Sequence, residues 1–402
     1  MLGLSTDAVG PPGPSHITPG STGAADDLSH LPDHVVLDML VGAQQRWLRC
    51  CRAAVLAGGT TARELLAPRR ETEVLARASL ARWKGLDEDE LLAEEAESLG
   101  DHGRRDTAEL SAARALGALA RALAGVSDTG SAVECLLTHA ERANLCSTPS
   151  STTADVPIGA GQNELASVLG HLTEHRDHPA HGFATLAALE LAGRRPVTLH
   201  TSAIRVLFVD AYGQGHVAVL ELAQVDGGPS GLHPDPARMS FLQADAEFHD
   251  ALVDAWQVSR IAGTEASVLW SLTLEGGAPV NDISGASSGA AFAVALDYLM
   301  SRGRVVRRRI DPSCAITAGL AGDQLTEVGG YRGKLLAAQR RSLRVIVAAD
   351  GFDEALEVAP LGFTGRLTAA HTIDDAIRNS RTHLGYLLWT AVAAFLIACL
   401  FV

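Results

Sequence analysis

A short Gly/Ser-rich loop that leads directly into an apolar segment constrains this sequence more than any other feature. The loop is DISGASSG at residues 282–289, and in residues 290–300 only Asp297 is charged. An apolar run of this kind predicts a helix buried in a domain core. The backbone N–H groups at the start of such a helix can bind developing negative charge, as in an oxyanion hole. Ser287 precedes this helix, where a lone serine is more often an N-cap than a nucleophile.

A second feature, the scarcity of lysine, raises the interest of this loop. Of the 33 Lys and Arg residues, only Lys84 and Lys334 are lysines. Arginine keeps its proton in proteins, whereas a buried lysine can lose it and act as a base. Lys334 lies in the first turn of a helix predicted over Tyr331–Arg341. Together, Ser287 and Lys334 form a candidate nucleophile and base.

These residues resemble the proteolytic domain of Lon-type proteases, which use a Ser/Lys dyad. Residues 284–289 match the family's nucleophile motif, roughly Asp-Gly-Pro-Ser-Ala-Gly, with Ser287 as the nucleophile. Residues 329–335 match Gly-Gly-Leu-Lys-Glu-Lys-Leu, with Lys334 as the base. The resemblance implies an endopeptidase that hydrolyses peptide bonds in unfolded or flexible protein substrates.

The resemblance covers about Pro196 to Arg381 and implies roles for further residues. Residues 315–319 lie where the family has a strand with a threonine near the dyad, so Thr317 is expected to hydrogen-bond the lysine. Backbone support for the oxyanion is expected at the loop residues Ser288, Gly289 and Gly285.

The chain departs from the family pattern at three positions. Ser284 replaces the family's Asp, Ala286 its Pro, and Gly333 an acidic residue, and the segment between the helix and the threonine strand is a few residues longer. These substitutions leave the implied fold unaffected, and they are the reason to consider a fold with weak catalytic activity. One alternative function is therefore a catalytically weak Lon-like fold that acts as a membrane-anchored binding or assembly module.

Two further motifs, a phosphate-binding loop and a zinc-binding pattern, bear on the function. A phosphate-binding loop ending at Gly333-Lys334 would need Gly at 328 and Ser or Thr at 335, but these are Val328 and Leu335. No other pattern of this kind occurs, so we expect an ATP-independent enzyme that needs no cofactor. His171, Glu174 and His175 fit the H-x-x-E-H pattern, which leaves a zinc hydrolase as a less favoured alternative. We expect no metal site.

Charge and cysteine usage exclude some other classes of protein. The formal charge of −14 and the pI near 5.5 argue against nucleic acid as a partner. The six cysteines lack metal-ligand spacing and mostly lie in apolar runs, as buried thiols in a reducing compartment do.

The last 19 residues, LGYLLWTAVAAFLIACLFV at 384–402, contain no charged side chain. Their length is enough to span a bilayer, and Tyr386 and Trp389 lie near one end, as interfacial aromatic residues do. We predict a single-pass C-terminal membrane anchor. Arg378 and Arg381 flank it, which places the catalytic domain in the cytoplasm.

The chain as a whole is predicted to be α+β, with an N-terminal all-α helical domain followed by a Lon-protease-like α/β domain and a C-terminal transmembrane helix. Whether it forms a homo-oligomer is left open by the sequence. The predicted divisions are a disordered N-terminus (1–29), the helical domain (30–146), a linker (147–163), the Lon-like domain (164–383, core 196–381) and the transmembrane helix (384–402).

Overall fold

The computed structural model describes residues 111–148, with short gaps before 128, and 163–381 except 211, 241, 276–279, 281 and 301–308. The predicted disordered N-terminus, most of the predicted helical domain, most of the linker and the predicted transmembrane helix lie outside these residues. Within the described part of the chain, no helix is both long enough and apolar enough to cross a membrane.

The described residues form a mixed α/β structure around a central sheet. Nine α-helices lie wholly within the described residues: α1 (Thr129–Arg142), α2 (Asn163–Glu174), α3 (His181–Leu191), α4 (Pro236–Met239), α5 (Ala246–Val258), α6 (Gly289–Met300), α7 (Tyr331–Arg340), α8 (Phe352–Glu357) and α9 (Ile373–Asn379). The strands are β1 (Val197–Val209), β2 (Gly215–Asp226), β3 (Gly231–Pro234), β4 (Gln243–Ala244), β5 (Ser267–Leu274), β6 (Asp282–Ile283), β7 (Cys314–Thr317), β8 (Gly319–Ala321), β9 (Gln324–Thr326), β10 (Arg344–Ala348) and β11 (Leu367–Ala370).

Seven strands form the central sheet in the order β11-β10-β7-β1-β2-β5-β3. β2 is antiparallel to both of its neighbours, β1 and β5, and the remaining neighbours are parallel. Two short pairs lie outside this sheet: β4 with β6 in parallel, and β8 with β9 antiparallel. Parallel strands end at the same edge of a sheet, so the residues that follow β1, β7 and β10 lie along one edge.

β3 lies in a segment, residues 227–235, whose glycine and proline content is typical of a loop. Residues Gly231 to Pro234 pair in parallel with Ser267 to Trp270 of β5, and all four are buried. The strand is not evident from the sequence, because glycine and proline are unfavourable in central strands. β3 is the last strand of the sheet, and proline is tolerated at an edge.

The helices α6 and α7 cover opposite faces of the sheet. Side chains alternate between the faces along each strand. In β7, Cys314 and Ile316 belong to the apolar cluster that contains α6. Ala315 belongs to a second cluster with Tyr331 and Leu335 of α7. Helix α6, which begins two residues after Ser287, and helix α7, which carries Lys334, therefore lie on opposite sides of this strand.

Helices α1 to α3 contribute to the same apolar cluster as α6 and the sheet. The end of α1 is also hydrogen-bonded to the segment that contains β4. The Asn144 side chain donates to the Ala244 carbonyl at 2.6 Å, and the Ala244 N–H donates to the Ala143 carbonyl at 3.1 Å. The boundary that the sequence places between a helical domain and a Lon-like domain stays a prediction.

The described chain ends at Arg381, close to the start of β7. Arg381 forms an isolated antiparallel bridge with Ile310. The Asp311 N–H donates to the Ser380 carbonyl at 2.8 Å, three residues before β7 begins at Cys314. The chain therefore leaves the described structure at the N-terminal end of β7.

Candidate active site

The predicted nucleophile Ser287 lies in the loop between β6 and α6, one residue before the buried pair Ser288–Gly289. Ser284 is exposed, whereas Ser287 is partly buried. The Gly289 N–H donates to the Ala286 carbonyl at 3.1 Å, and the Phe292 N–H donates to the Ser288 carbonyl at 3.0 Å. The loop thus turns directly into the first turn of the helix.

Hydrogen bonds to Ala318 hold this loop against the end of β7. The Ala318 N–H donates to the Ser287 carbonyl at 3.1 Å, and its carbonyl accepts from the Ala290 N–H at 3.3 Å. Ala318 directly follows Thr317, the last residue of β7. The backbone of Ser287 is therefore adjacent to the C-terminal end of this strand.

The backbone N–H groups of Ser287 and Ser288 are not used by this bonding. No residue in the described ranges accepts a hydrogen bond from either group. They lie at the positive N-terminal end of α6, where unpaired N–H groups favour negative charge. The Ser288 hydroxyl, on a residue that is 6% exposed, likewise has no hydrogen-bond partner among the described residues.

Thr317 is completely buried, and its hydroxyl also lacks a partner within the described part of the chain. It is two residues from Ala315, so its side chain lies on the sheet face that α7 covers. Its strand partner Val347 belongs to the same apolar cluster. A buried hydroxyl without a partner costs free energy, and such groups commonly have a functional explanation.

Lys334 is buried because it lies on the apolar face of α7. It is three residues after Tyr331 and four before Ala338, and all three are buried on one side of the helix. The Lys334 side chain is 3% exposed. Burial lowers the pKa of Lys334 from the ordinary 10.5 to about 8, and no described carboxylate forms an ion pair that would offset this effect.

Close backbone contact fixes the start of α7 against the β1–β2 hairpin. A Cβ atom on Gly333 would lie 2.5 Å from the Gly213 carbonyl oxygen and 2.8 Å from a methyl group of Val209. A Cβ atom on Gly215 would overlap the Gly333 carbonyl oxygen. Only glycine fits at 333, which gives a steric reason for the missing acidic residue and keeps Lys334 next to the hairpin.

The predicted site residues therefore approach one edge of the sheet from two sides. Ser287 is bonded to the residue after Thr317 from the α6 side, and Lys334 lies in the first turn of α7 on the other side. Thr317 lies between them on β7. No hydrogen bond joins the three side chains in the described structure. The N–H groups of Gly285 and Gly289, which the sequence suggested as support for the oxyanion, donate to the Asp245 carboxylate and the Ala286 carbonyl.

Asp245 is a residue near this site that the sequence did not suggest. It is the N-cap of α5 and accepts from the Phe248 N–H at 2.8 Å. Its carboxylate also accepts from the Gly285 N–H. A short acidic residue before a helix predicts a cap, but no sequence signal relates it to a loop 40 residues later.

Of the H-x-x-E-H residues, His171 and Glu174 lie on α2 and His175 directly follows it, in a different part of the structure. The His171 imidazole is 3.5 Å from the Glu174 carboxylate, and the two side chains are 40% and 71% exposed. Among the described residues there is no group of three or more His, Cys, Asp or Glu side chains arranged to hold a metal ion.

Comparison with known proteins finds distant similarity among solved structures. No protein-family model matches the chain, and no curated protein matches it. Among solved structures, it is similar to a viral protease described as having a serine/lysine catalytic dyad mechanism, with 14% sequence identity and a TM-score of 0.25. The match covers 46% of this chain and 90% of the viral protein. The dyad mechanism is a property of that viral enzyme.

Proposed function

We propose that this protein is a serine endopeptidase in which Ser287 is the nucleophile and Lys334 the general base. The observation that carries the proposal is the burial of Lys334, 3% exposed and without an ion pair to any described residue. A lysine placed there for stability alone would be unfavourable, because burial of an unpaired ammonium costs free energy. A lysine that must lose its proton at neutral pH requires such an environment.

In the proposed reaction, the neutral Lys334 amine removes the proton from the Ser287 hydroxyl as its oxygen attacks a peptide carbonyl. The tetrahedral intermediate then breaks its C–N bond, and the Lys334 ammonium returns the proton to the leaving amine. The remaining Ser287 ester is hydrolysed by water, with Lys334 again removing a proton. With a pKa of about 8, roughly a tenth of the molecules hold a neutral lysine at pH 7.

Two groups complete the proposed site. The N–H groups of Ser287 and Ser288 would donate to the oxyanion, since no described residue accepts from them and they begin α6. The Thr317 hydroxyl would accept from or donate to the Lys334 amine and fix its direction, which would also give that buried hydroxyl a partner.

Finer parts of the proposal rest on the sequence. The three motifs around Ser287, Thr317 and Lys334 support a Lon-type relationship, and the absence of a phosphate-binding loop from the sequence supports ATP-independent cleavage of unfolded or flexible substrates. The uncharged residues 384–402 support a membrane anchor with the catalytic domain on the cytoplasmic side.

The test is labelling of the purified full-length protein by a fluorophosphonate probe, which reacts with activated serines. We expect labelling at Ser287, located by mass spectrometry, and none in Ser287→Ala. Lys334→Arg keeps a positive charge but cannot supply a neutral base, so the labelling rate should fall at least 100-fold. The matched control is Ser284→Ala in the same loop, with an expected rate within twofold of the wild type.

Wild-type protein that is folded but not labelled would overturn the enzyme proposal and favour the binding or assembly module. Labelling that survives Lys334→Arg would eliminate Lys334 as the base. Stoichiometric zinc in the purified protein, together with activity lost in His171→Ala, would favour the zinc hydrolase.

A further inference from the structure

The loop that carries Ser287 is held on its upstream side by very few groups. The two-residue strand β6 pairs with β4, with Ala244 opposite Ile283. Beyond Ile283 the chain has no regular pairing until α6 begins. A nucleophile must be held within a fraction of an ångström of its productive position, so the contacts that fix this short segment are important for the proposed reaction.

Asp245 supplies most of these contacts. Its backbone N–H donates to the Ile283 carbonyl at 3.2 Å. Its carboxylate accepts from the Gly285 N–H, at 3.1 Å through Oδ1 and 2.9 Å through Oδ2. Oδ1 also accepts from the Phe248 N–H at 2.8 Å, as the N-cap of α5. One side chain therefore joins the N-terminus of α5 to the loop, two residues before Ser287.

Gly285 adopts a conformation that suits this bond. Its φ angle is +80°, in the left-handed region that residues with a Cβ atom rarely adopt. On the downstream side, Ala318 holds the Ser287 carbonyl. Ser287 is thus placed between two backbone anchors, one on Asp245 and one on Ala318.

We propose that Asp245 is a positioning residue for the nucleophile, acting through the backbone of Gly285 and not by contact with substrate. A charged acceptor makes a stronger hydrogen bond to a backbone N–H than a neutral one does. The family motif has an acidic residue in the loop itself, where this chain has the exposed Ser284. Asp245 supplies a carboxylate to the loop from a separate helix. This inference rests on the proposed function of Ser287.

The test separates the two roles of Asp245. Asp245→Ser keeps a good N-cap for α5 but has a single, shorter oxygen that does not reach both Phe248 and Gly285. Asp245→Asn keeps one carbonyl oxygen that can accept from both. We expect the maximal fluorophosphonate labelling rate to fall at least tenfold in Asp245→Ser and less than threefold in Asp245→Asn. The probe concentration giving half-maximal rate should be unchanged.

Asp128→Ala is the matched control for the loss of a cap. Asp128 is the N-cap of α1 and accepts from the Ser131 N–H at 2.7 Å, without any bond to the loop. Its labelling rate should remain within twofold of the wild type. Equal losses in Asp128→Ala and Asp245→Ser would show a general effect of stability, and wild-type labelling in Asp245→Ser would show that the Gly285 bond is not needed. Either result overturns the inference while the dyad stands.

Hydrogen exchange provides a second readout that does not depend on activity. In Asp245→Ser, amide exchange in a peptide covering 284–288 should accelerate at least tenfold, whereas α5 stays protected. Unchanged exchange in that peptide would also overturn the inference. An unlabelled but folded wild type would instead remove the proposed function on which it rests.

Discussion

Replacing Lys334 with methionine removes an ammonium group from an apolar environment and leaves the volume of the side chain almost unchanged. Lys334 is 3% exposed on the core face of α7. Methionine is unbranched and adapts to the shape of such a site. We expect Lys334→Met to raise the free energy of unfolding while it abolishes fluorophosphonate labelling, because stability and activity are often opposed at active sites.

The magnitude follows from the pKa of Lys334, which burial lowers from 10.5 to about 8. Each pKa unit corresponds to about 1.4 kcal/mol, so keeping the lysine charged in the folded state costs on the order of 3 kcal/mol at pH 7. Between pH 8 and 10.5 the unfolded chain binds more protons at this group than the folded protein does. The cost is therefore complete below pH 8 and disappears as the pH rises to 10.5.

The assay is urea denaturation of the full-length protein, followed by the fluorescence of tryptophan. Trp256 and Trp270 are both buried in the apolar cluster on the α6 face of the same sheet. Lys334→Met should be more stable than the wild type by about 3 kcal/mol at pH 7 and by about 1 kcal/mol at pH 9.5. The matched control is Arg332→Met, an exposed position on the same helix, which should show no dependence on pH over this range.

Two results would refute the reasoning. A Lys334→Met variant that is no more stable than the wild type at pH 7 would mean that the ammonium is solvated or paired in the folded protein. A stability gain of the same size at both pH values would mean that packing, and not loss of the charge, is responsible.

Three further predictions follow from other groups. The labelling rate of the wild type should rise about tenfold between pH 7 and 9, because neutral Lys334 is the base and its pKa is about 8; a flat profile would contradict this role. Gly333→Ala should destabilise by about 1–3 kcal/mol because its Cβ meets the hairpin backbone. The control is Gly170→Ala in α2, where a Cβ atom meets nothing within 4 Å; it should raise the free energy of unfolding by about 0.5–1 kcal/mol in the same urea assay. Equal changes in the two variants would show that the Gly333 Cβ does not clash with the hairpin. Burial lowers the pKa of His233 from 6.5 to about 4, so its contribution to stability is complete above pH 6.5 and is lost as the pH falls towards 4. In His233→Gln, the free energy of unfolding should therefore fall less between pH 7 and 4.5 than it does in the wild type. The same fall in both proteins would mean that His233 does not cause it.

Much of the local structure near the site follows from the sequence. The apolar spacing around Lys334 predicts both the helix and the burial of the lysine, since Tyr331, Leu335 and Ala338 define a core face. The apolar run after Ser287 predicts α6. Both predictions rest on the 3.6-residue period of a helix, which a single sequence contains in full.

Contacts between distant segments could not be predicted in the same way. The bond from Gly285 to Asp245 depends on the pairing of β4 with β6, two strands of two residues each. The contact between Gly215 and Gly333 appears in the sequence only as two glycines, which turns and loops also contain. Strand β3 has the composition of a loop because an edge strand tolerates proline. In each case tertiary pairing, and not local preference, decides the structure.

The direction in which the chain leaves the sheet determines how an attached anchor would orient the protein. Ser380 and Arg381 lie at the N-terminal end of β7, whereas the Ser287 loop is bonded at its C-terminal end, about 10 Å away along the strand. If residues 384–402 enter a bilayer, the site would lie at the end of β7 farther from the point where the anchor attaches. Such a position would favour substrates that arrive from solution, as loops or tails that extend beyond the lipid headgroups.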